Sequence, residues 1–434
     1  MSEVRVNNLS NENNTGGPTI SGITTYSGRH FFVPPQGDTA SRPSDCEPGS
    51  LRFNTDTAHL EYFRGNTIGW TEIEAELTAP LGGGTGSNVG LGHRAVFSVG
   101  QRSPSGYVTD LDFVTISTLG NAQDFGNAGV TRDKLGSGGD RTRGLFIGGE
   151  GVVDTIEFIT FASTGNATDF GNLTTSLSNT GSGASRTRGL ICGGEPLRAD
   201  IEFVTFASTG NATDFGADLP GNQRGPMNVS SATRTCVAGG YSAGSPYPRQ
   251  NTISYLTMAS TGVGGVDFGD LTNGVRLFNG GMSCNSTTRG IWIGGSDDSS
   301  GTTHMDFITI STLGDSTDFG NCTQSNGGPK GNCNATRGVW AGFFTPYVVD
   351  TIEFVTIATT GNTVDFGNLS VSRAFCQSSG CSPTRGVWAG GATPTRVNTI
   401  DFVELMTLGN AVDFGDTIAA TNEGGGMSNA HGGL

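Results

Sequence analysis

Seven copies of the triplet Asp-Phe-Gly punctuate the chain, with the aspartate at Asp124, Asp169, Asp214, Asp267, Asp318, Asp365 and Asp413. An aspartate in that setting can hold magnesium for phosphoryl transfer, but the reaction also needs a glycine-rich phosphate loop, a catalytic Asp and a phosphate-contacting Lys. None accompanies any copy, so the triplet reads as structural, its carboxylate accepting from turn amides or facing a repeated arginine. Glycoside hydrolysis needs two carboxyls across a cleft, and Asp297 with Asp298 and neighbouring acids is the place where such a pair can form. A metal site needs clustered His or Cys. His30, His59, His93, His304 and His431 are scattered, and the eight cysteines contain no Cys-x-x-Cys pair. Cys284, Cys333 and Cys381 recur four or five residues before a repeated arginine, as small buried residues in reduced form would. The expectation is a non-enzymatic chain with no metal and no cofactor.

The triplets lie 45 to 53 residues apart, which marks a repeat array whose units must stack to bury their apolar faces. Each unit has one grammar. A short apolar run opens on Arg94, Arg143, Arg188, Arg234, Arg289, Arg337 or Arg385, and most copies close on a diglycine. A β-branched run follows with an aromatic at Phe113, Phe158, Phe203, Tyr255, Phe307, Phe354 or Phe402, then a tight Gly-Asn type turn, then the triplet. These read as an Arg strand, an aromatic strand and a triplet strand. Three residues beyond each Arg stand Phe97, Phe146, Ile191, Val237, Trp292, Trp340 and Trp388, an apolar position expected in the core. A fourth, inner strand is expected just before each Arg, where Gly, Ser, Asn and Cys dominate as they would beside a crowded axis. Six units also carry an acid before the aromatic (Asp112, Glu157, Glu202, Asp306, Glu353 and Asp401), and blade-to-blade ion pairs of the repeated Arg with these acids or with the triplet Asp are expected.

Four short strands repeated seven times call for an all-β, seven-bladed β-propeller. The apolar run ending in diglycine, the aromatic strand, the tight turn and the second aromatic strand resemble kelch-type propellers over residues 82–434, with Phe of the triplet where kelch repeats carry Trp. The C-terminal stretch Gly424-Gly-Gly-Met-Ser-Asn-Ala-His431 has inner-strand character and competes with Gly82 to Gly92 to close the first blade. The expected division is an extended arm over 1–36, a small β module over 37–80 and the propeller over 81–434.

Glycine (71) and proline (16) make up a fifth of the 434 residues, below the level of low-complexity chains. The net charge is −15 and no basic run occurs, which argues against a nucleic-acid partner. No stretch of about 18 apolar residues is present and Met1-Ser-Glu-Val-Arg-Val opens no secretion signal, so no membrane insertion is expected.

Residues 1–80 lie outside the repeat. Gly49-Ser-Leu-Arg-Phe-Asn-Thr-Asp-Thr57, His59-Leu-Glu-Tyr-Phe63 and Trp70-Thr-Glu-Ile73 read as a hairpin with a third short strand. These stretches, with Val6-Asn-Asn-Leu-Ser-Asn and Gly22-Ile-Thr-Thr25, resemble N-terminal modules of bacteriophage tail-fibre-type and cyanophage structural proteins. The resemblance implies a virion protein, assembled in the host cytoplasm, docked on other virion proteins through its arm and displaying the propeller to a host surface polysaccharide or protein. The alternatives it leaves are a capsid decoration or baseplate scaffold and a polysaccharide-degrading tailspike; a homo-oligomer remains open. Loops after the diglycines vary while the other turns repeat, so the expected recognition face carries Arg102, Tyr107, Tyr241, Tyr247, Arg249, Asp297, Asp298, Phe344, Tyr347 and Arg396.

Overall fold

The computed structural model describes residues 34–56, 59–73, 93–98, 100–102, 106–151, 153–242, 248–272, 282–295, 301–325, 328–345, 347–376 and 378–429. Among these, the regular elements are all β. The chain divides into two compact units, residues 1–76 and 77–434. Most of the expected N-terminal arm lies outside the described residues.

The first unit adds one strand to the expected hairpin. Leu51–Asn54, His59–Phe63 and Trp70–Ile73 pair antiparallel, and Gln36–Gly37 lies parallel against Leu51–Asn54 to make four. Its interior is polar where a larger domain would be apolar. Glu61, fully buried, accepts from Arg42 at 2.6 Å and from Asn54 at 3.3 Å, with Arg52 at 3.4 Å. Burial works against the Glu61 carboxylate, yet the Arg42 and Asn54 hydrogen bonds hold it below its ordinary range.

The second unit is propeller-like, built from four-stranded antiparallel sheets. One reads Gly136–Gly139, Arg143–Ile147, Thr155–Thr160 and Thr168–Asn172, the inner, Arg, aromatic and triplet strands in chain order. The other inner strands among the described residues are Gly181–Ala184, Met227–Ser230, Ser283–Asn285, Lys330–Cys333, Ser378–Cys381 and Gly425–Ser428. Each lies against the next in that order. Gly425–Ser428 touches both Ser378–Cys381 and Gly136–Gly139, so the cycle closes. Gly425–Ser428 is also the C-terminal segment, and it pairs with Arg94–Ser98 in the register Met427 to Val96. Residues 82–92 lie outside the described residues.

Small inner-strand residues are explained by this crowding. Ser283 Oγ donates to Asn228 O at 3.1 Å, Asn285 Nδ2 to Ser230 O at 2.7 Å and Ser428 Oγ to Cys381 O at 2.8 Å, each reaching the preceding inner strand. The residues three beyond each Arg are all at most 1% exposed, and each such burial stabilises by roughly 1.5 to 3 kcal/mol. Trp388 also donates its indole N–H to Lys330 O, one sheet back, at 2.8 Å. None of the eight cysteines is in a disulfide. Burial pushes the thiols of Cys192, Cys236, Cys322, Cys333 and Cys381 up to about 12, which leaves them protonated and inert at neutral pH.

Removal of residues 425–434 takes the inner strand from the first sheet and pulls Met427 out of the apolar cluster it shares with Val96, Phe146 and Phe161. Thermal unfolding of that truncation is expected at least 10 °C below the full chain, and an unchanged midpoint would contradict the closure.

Candidate functional site

The residues that look most chemical are consumed by the seams between sheets. In all seven copies the repeated Arg lies over the aromatic of its own sheet, with Cζ 4.3 to 4.7 Å from the ring centroid. The same guanidinium donates through Nη1 to a main-chain carbonyl just past the aromatic strand of the next sheet. Arg94 reaches Phe161 O, Arg143 Phe206 O, Arg188 Met258 O, Arg234 Ile310 O, Arg289 Ile357 O and Arg337 Leu405 O, at 2.7 to 3.0 Å. Arg385 reaches Ile116 O at 3.1 Å, which brings the series back to the first sheet. The ion pairs expected for this Arg are therefore corrected: neither the acids before the aromatic nor the triplet Asp is its partner. A guanidinium that stacks on a ring and bridges to a carbonyl gains little from a further surface ion pair such as the one Arg385 makes with Glu404 at 2.6 Å.

The six acids instead clasp the seam from the other side. Gly129 N donates to Glu157 at 2.6 Å, Thr174 N to Glu202 at 3.1 Å, Thr272 N to Asp306 at 3.2 Å, Thr323 N to Glu353 at 3.0 Å, Ser370 N to Asp401 at 3.1 Å and Ile418 N to Asp112 at 2.9 Å. In each case the donor belongs to the sheet before. The triplet Asp accepts from the amide two residues on, as Asp169 does from Gly171 N at 3.0 Å, and so holds its own glycine in place. Gly171 has φ +143°, and a Cβ there would stand 2.4 Å from Gly210 O. Only glycine lets the next sheet's turn come that close. That turn docks by Gly210 N donating to Phe170 O at 2.7 Å, and the same bond recurs at every seam.

Two of the acids have dedicated cations. Arg132 pairs with Glu157 at 2.7 Å and Arg373 with Asp401 at 3.0 Å, both arginines being fully buried. In the first sheet the loop position equivalent to Arg132 and Arg373 is Thr421. Asp112 is 6% exposed, and burial outweighs the Ile418 amide bond, raising its carboxyl to about 6. His304 sits beside another seam acid, with Nε2 at 2.5 Å from Thr272 Oγ1 and 3.6 Å from Asp306.

With the seams accounted for, the loops after the Arg strands remain. Gln101–Arg102 pairs with Gly106–Tyr107 on one side and with Thr421–Asn422 on the other, so Tyr107 stands on a small sheet that ties the two ends of this unit together. Tyr107 is 46% exposed. Arg102 pairs with Asp110 at 2.8 Å. Arg396 donates to Asn422 Oδ1 at 2.5 Å and to Gln101 Oε1 at 2.7 Å, so it buttresses this sheet and is largely engaged. Phe344 packs on Phe375 with centroids 5.4 Å apart, and Phe375 O receives Glu423 N at 3.5 Å, which joins this pair to the same neighbourhood. Tyr347 is 79% exposed on the hairpin of Phe344–Thr345 and Tyr347–Val348. Tyr241 lies apart from that group. It bridges to Arg249, and the Arg224 guanidinium, paired with Glu195 at 2.6 Å, lies over its ring. Tyr247, Asp297 and Asp298 lie outside the described residues.

The structure adds residues that spacing did not reveal. Six of the loops entering an inner strand place one residue with positive φ at the same step: Lys134, Asn179, Gly225, Gly328, Phe375 and Glu423. Asn179 N donates to Lys134 O and Gly225 N to Asn179 O, both at 3.0 Å, so these steps link from sheet to sheet around the mouth of the cycle. Lys134, Asn179, Phe375 and Glu423 are the non-glycine residues with positive φ among the described residues, each a conformation costing about 1 to 2 kcal/mol. Next to Lys134, fully buried Asp133 accepts from Gln101 Nε2 at 2.8 Å while its Oδ1 has no donor. A run of Arg-Asp-Lys between two units carried no signal of this placement.

No protein-family model matches the chain, and no curated protein matches it.

Two variants test the seams. Arg289→Met keeps the apolar stem but loses the ring stacking and the bond to Ile357 O, and chemical denaturation is expected to show a loss on the order of 2 kcal/mol. Asp112 behaves oppositely with pH. Its folded-state carboxyl titrates above its ordinary value of 3.8, so ionised Asp112 subtracts stability above pH 6, and the penalty vanishes as the pH falls toward 4. Asp112→Asn is expected to stabilise by on the order of 2 kcal/mol at pH 7.5 and to be neutral near pH 4; equal effects at both pH values would refute the assignment.

Proposed function

We propose that this chain is a bacteriophage virion structural protein whose second unit is a seven-bladed kelch-like propeller, held on the particle by its N-terminal segment and binding a host surface glycan or protein. The observation that carries the reading is the contrast between seams and loops. Arginines, carboxylates and amides of the repeat are engaged with neighbouring sheets, whereas the loops after the Arg strands carry exposed Tyr107, Phe344 and Tyr347. Aromatics on a rigid scaffold bury large area at low conformational cost, as recognition requires. The virion assignment rests on the resemblance of residues 6–25 and 49–73 to phage fibre-type modules, and the negative net charge argues against a nucleic-acid partner.

A scaffold role on the particle is the second reading, and one observation favours it. On the outer rim, Leu119, Val364, Met406, Leu408, Val412 and Ile418 are each more than half exposed, and they lie on the triplet strands and turns of neighbouring sheets. Such apolar residues suit contact with another virion protein.

Labelled full-length protein incubated with a panel of cyanobacterial and other marine bacterial cells separates the two. Saturable binding to one host, reduced at least tenfold by Tyr347→Ala with Phe344→Ala, is the expected result. Binding to phage particles alone would replace it with the scaffold role.

A further inference from the structure

We propose that the C-terminal segment 418–428, which carries the inner strand of the first sheet, is a pH-dependent latch, held closed over protonated Asp112 and loosened when that carboxyl ionises. Such a latch belongs to the fold and is independent of what the loops bind.

Each seam acid accepts from a main-chain amide, and all but Asp112 have a second partner among the described residues. Glu157 has Arg132 at 2.7 Å and Asp401 has Arg373 at 3.0 Å. Glu202 takes the Thr174 hydroxyl, Glu353 those of Thr323 and Thr363, and Asp306 those of Thr272 at 2.6 Å and Ser316 at 2.8 Å. Asp112 accepts from Ile418 N at 2.9 Å through Oδ2, and its Oδ1 has no donor. Asp401 Oδ1 also lacks one, but there the charge is matched by buried Arg373. Two departures from the repeat explain the difference. Ile418 stands where Thr174, Thr272 and Thr323 supply a hydroxyl, and Thr421 stands where Arg132 and Arg373 supply a charge.

The charges around Asp112 do not make good the lack. Asp124 stands opposite it on the triplet strand, and on its other side Arg94–Ser98 places Phe97 opposite. Asp110, two residues away on its own strand, takes up Arg102 at 2.8 Å. Arg102 favours the ionised form of Asp112, while Asp110 and Asp124 oppose it. The stretch 417–422 brings no charged side chain. An ionised carboxylate only 6% exposed, with one oxygen bare of donors, is costly, and a proton removes most of that cost. Burial accordingly raises the carboxyl to about 6. With the segment open, Asp112 meets water and returns toward its ordinary 3.8, so the closed form holds a proton that the open form releases. The latch is therefore tightest below about pH 4, loosens as the pH rises toward 6 and is loosest above it.

What it holds is the closure of the cycle. The same segment pairs Gly425–Ser428 with Arg94–Ser98 and Thr421–Asn422 with Gln101–Arg102.

Hydrogen exchange of the full chain at pH 4.5 and 7.5, read by mass spectrometry and corrected for intrinsic pH dependence, compares 418–428 with its equivalent 174–184, which supplies the inner strand Gly181–Ala184. Amides of 418–428 are expected to open roughly tenfold more often at the higher pH, with 174–184 unchanged. Asp112→Asn should abolish the difference. Ile418→Thr restores the missing hydroxyl at a position that is 55% exposed, and should return 418–428 to its low-pH protection at pH 7.5. Equal changes in both segments, no change in either, or a pH effect that survives Asp112→Asn would overturn the latch, and Ile418→Thr exchanging like the parent chain would overturn the missing donor as its cause.

Discussion

A guanidinium that lies on an aromatic ring of one sheet and donates to a carbonyl of the next is the contact on which the rest of the second unit depends. A four-stranded sheet of such short strands cannot cover both of its faces, and its stability comes from the neighbour it is pressed against. The Arg bond works because it asks only for a carbonyl, which every neighbour supplies in the same place whatever its side chains. That is why the contact survives seven times while the residues beside it change from Phe to Tyr or from Trp to Val. A cycle of such contacts has no free end, and the sheet that would otherwise be exposed receives its inner strand from the C-terminal segment.

Once the seams are set, they dictate the composition of everything near them. The acid before the aromatic is retained because a main-chain amide of the preceding sheet needs an acceptor, and the triplet glycine because a backbone turn lands where a Cβ would be. The exceptions are informative. The fourth unit has Ser254 in place of the acid, buried with its hydroxyl unpartnered, and the first has Asp112 with Thr421 where two other seams have a buried arginine. A repeated seam tolerates a weakened copy because its neighbours hold the geometry.

The exposed aromatics Tyr107, Phe344 and Tyr347 lie instead on the loops after the Arg strands. Several of these loops bond to the loops entering the inner strands of the next sheet, as Gly149 N does to Leu177 O and Gly391 N to Thr421 O. There the backbone takes positive φ at non-glycine residues, a strain that the surrounding hydrogen bonds sustain. Successive sheets deliver the same two loops to each other.

Periodicity alone determined the all-β class, the four strands per unit, the buried position three residues past each Arg, and the small residues of the inner strands, since local spacing and side-chain size dictate those directly. It also put the triplet in every unit, where its Asp accepts from the amide two residues on. What the Arg would touch was out of reach: acids and aromatics stand next to each other in the same strand, so Glu157 and Phe158 are equally near in sequence to Arg143, and only the pleat and the twist of the neighbour decide that the ring lies beneath the guanidinium and the acid faces the other seam. Arg396, expected on the recognition face, donates to Gln101 and Asn422, which come from opposite ends of the unit. The pairing of Gln101–Arg102 with Thr421–Asn422 was likewise decided by tertiary structure alone. These strands meet only when the cycle closes, and a contact across some 300 residues leaves no trace in local spacing.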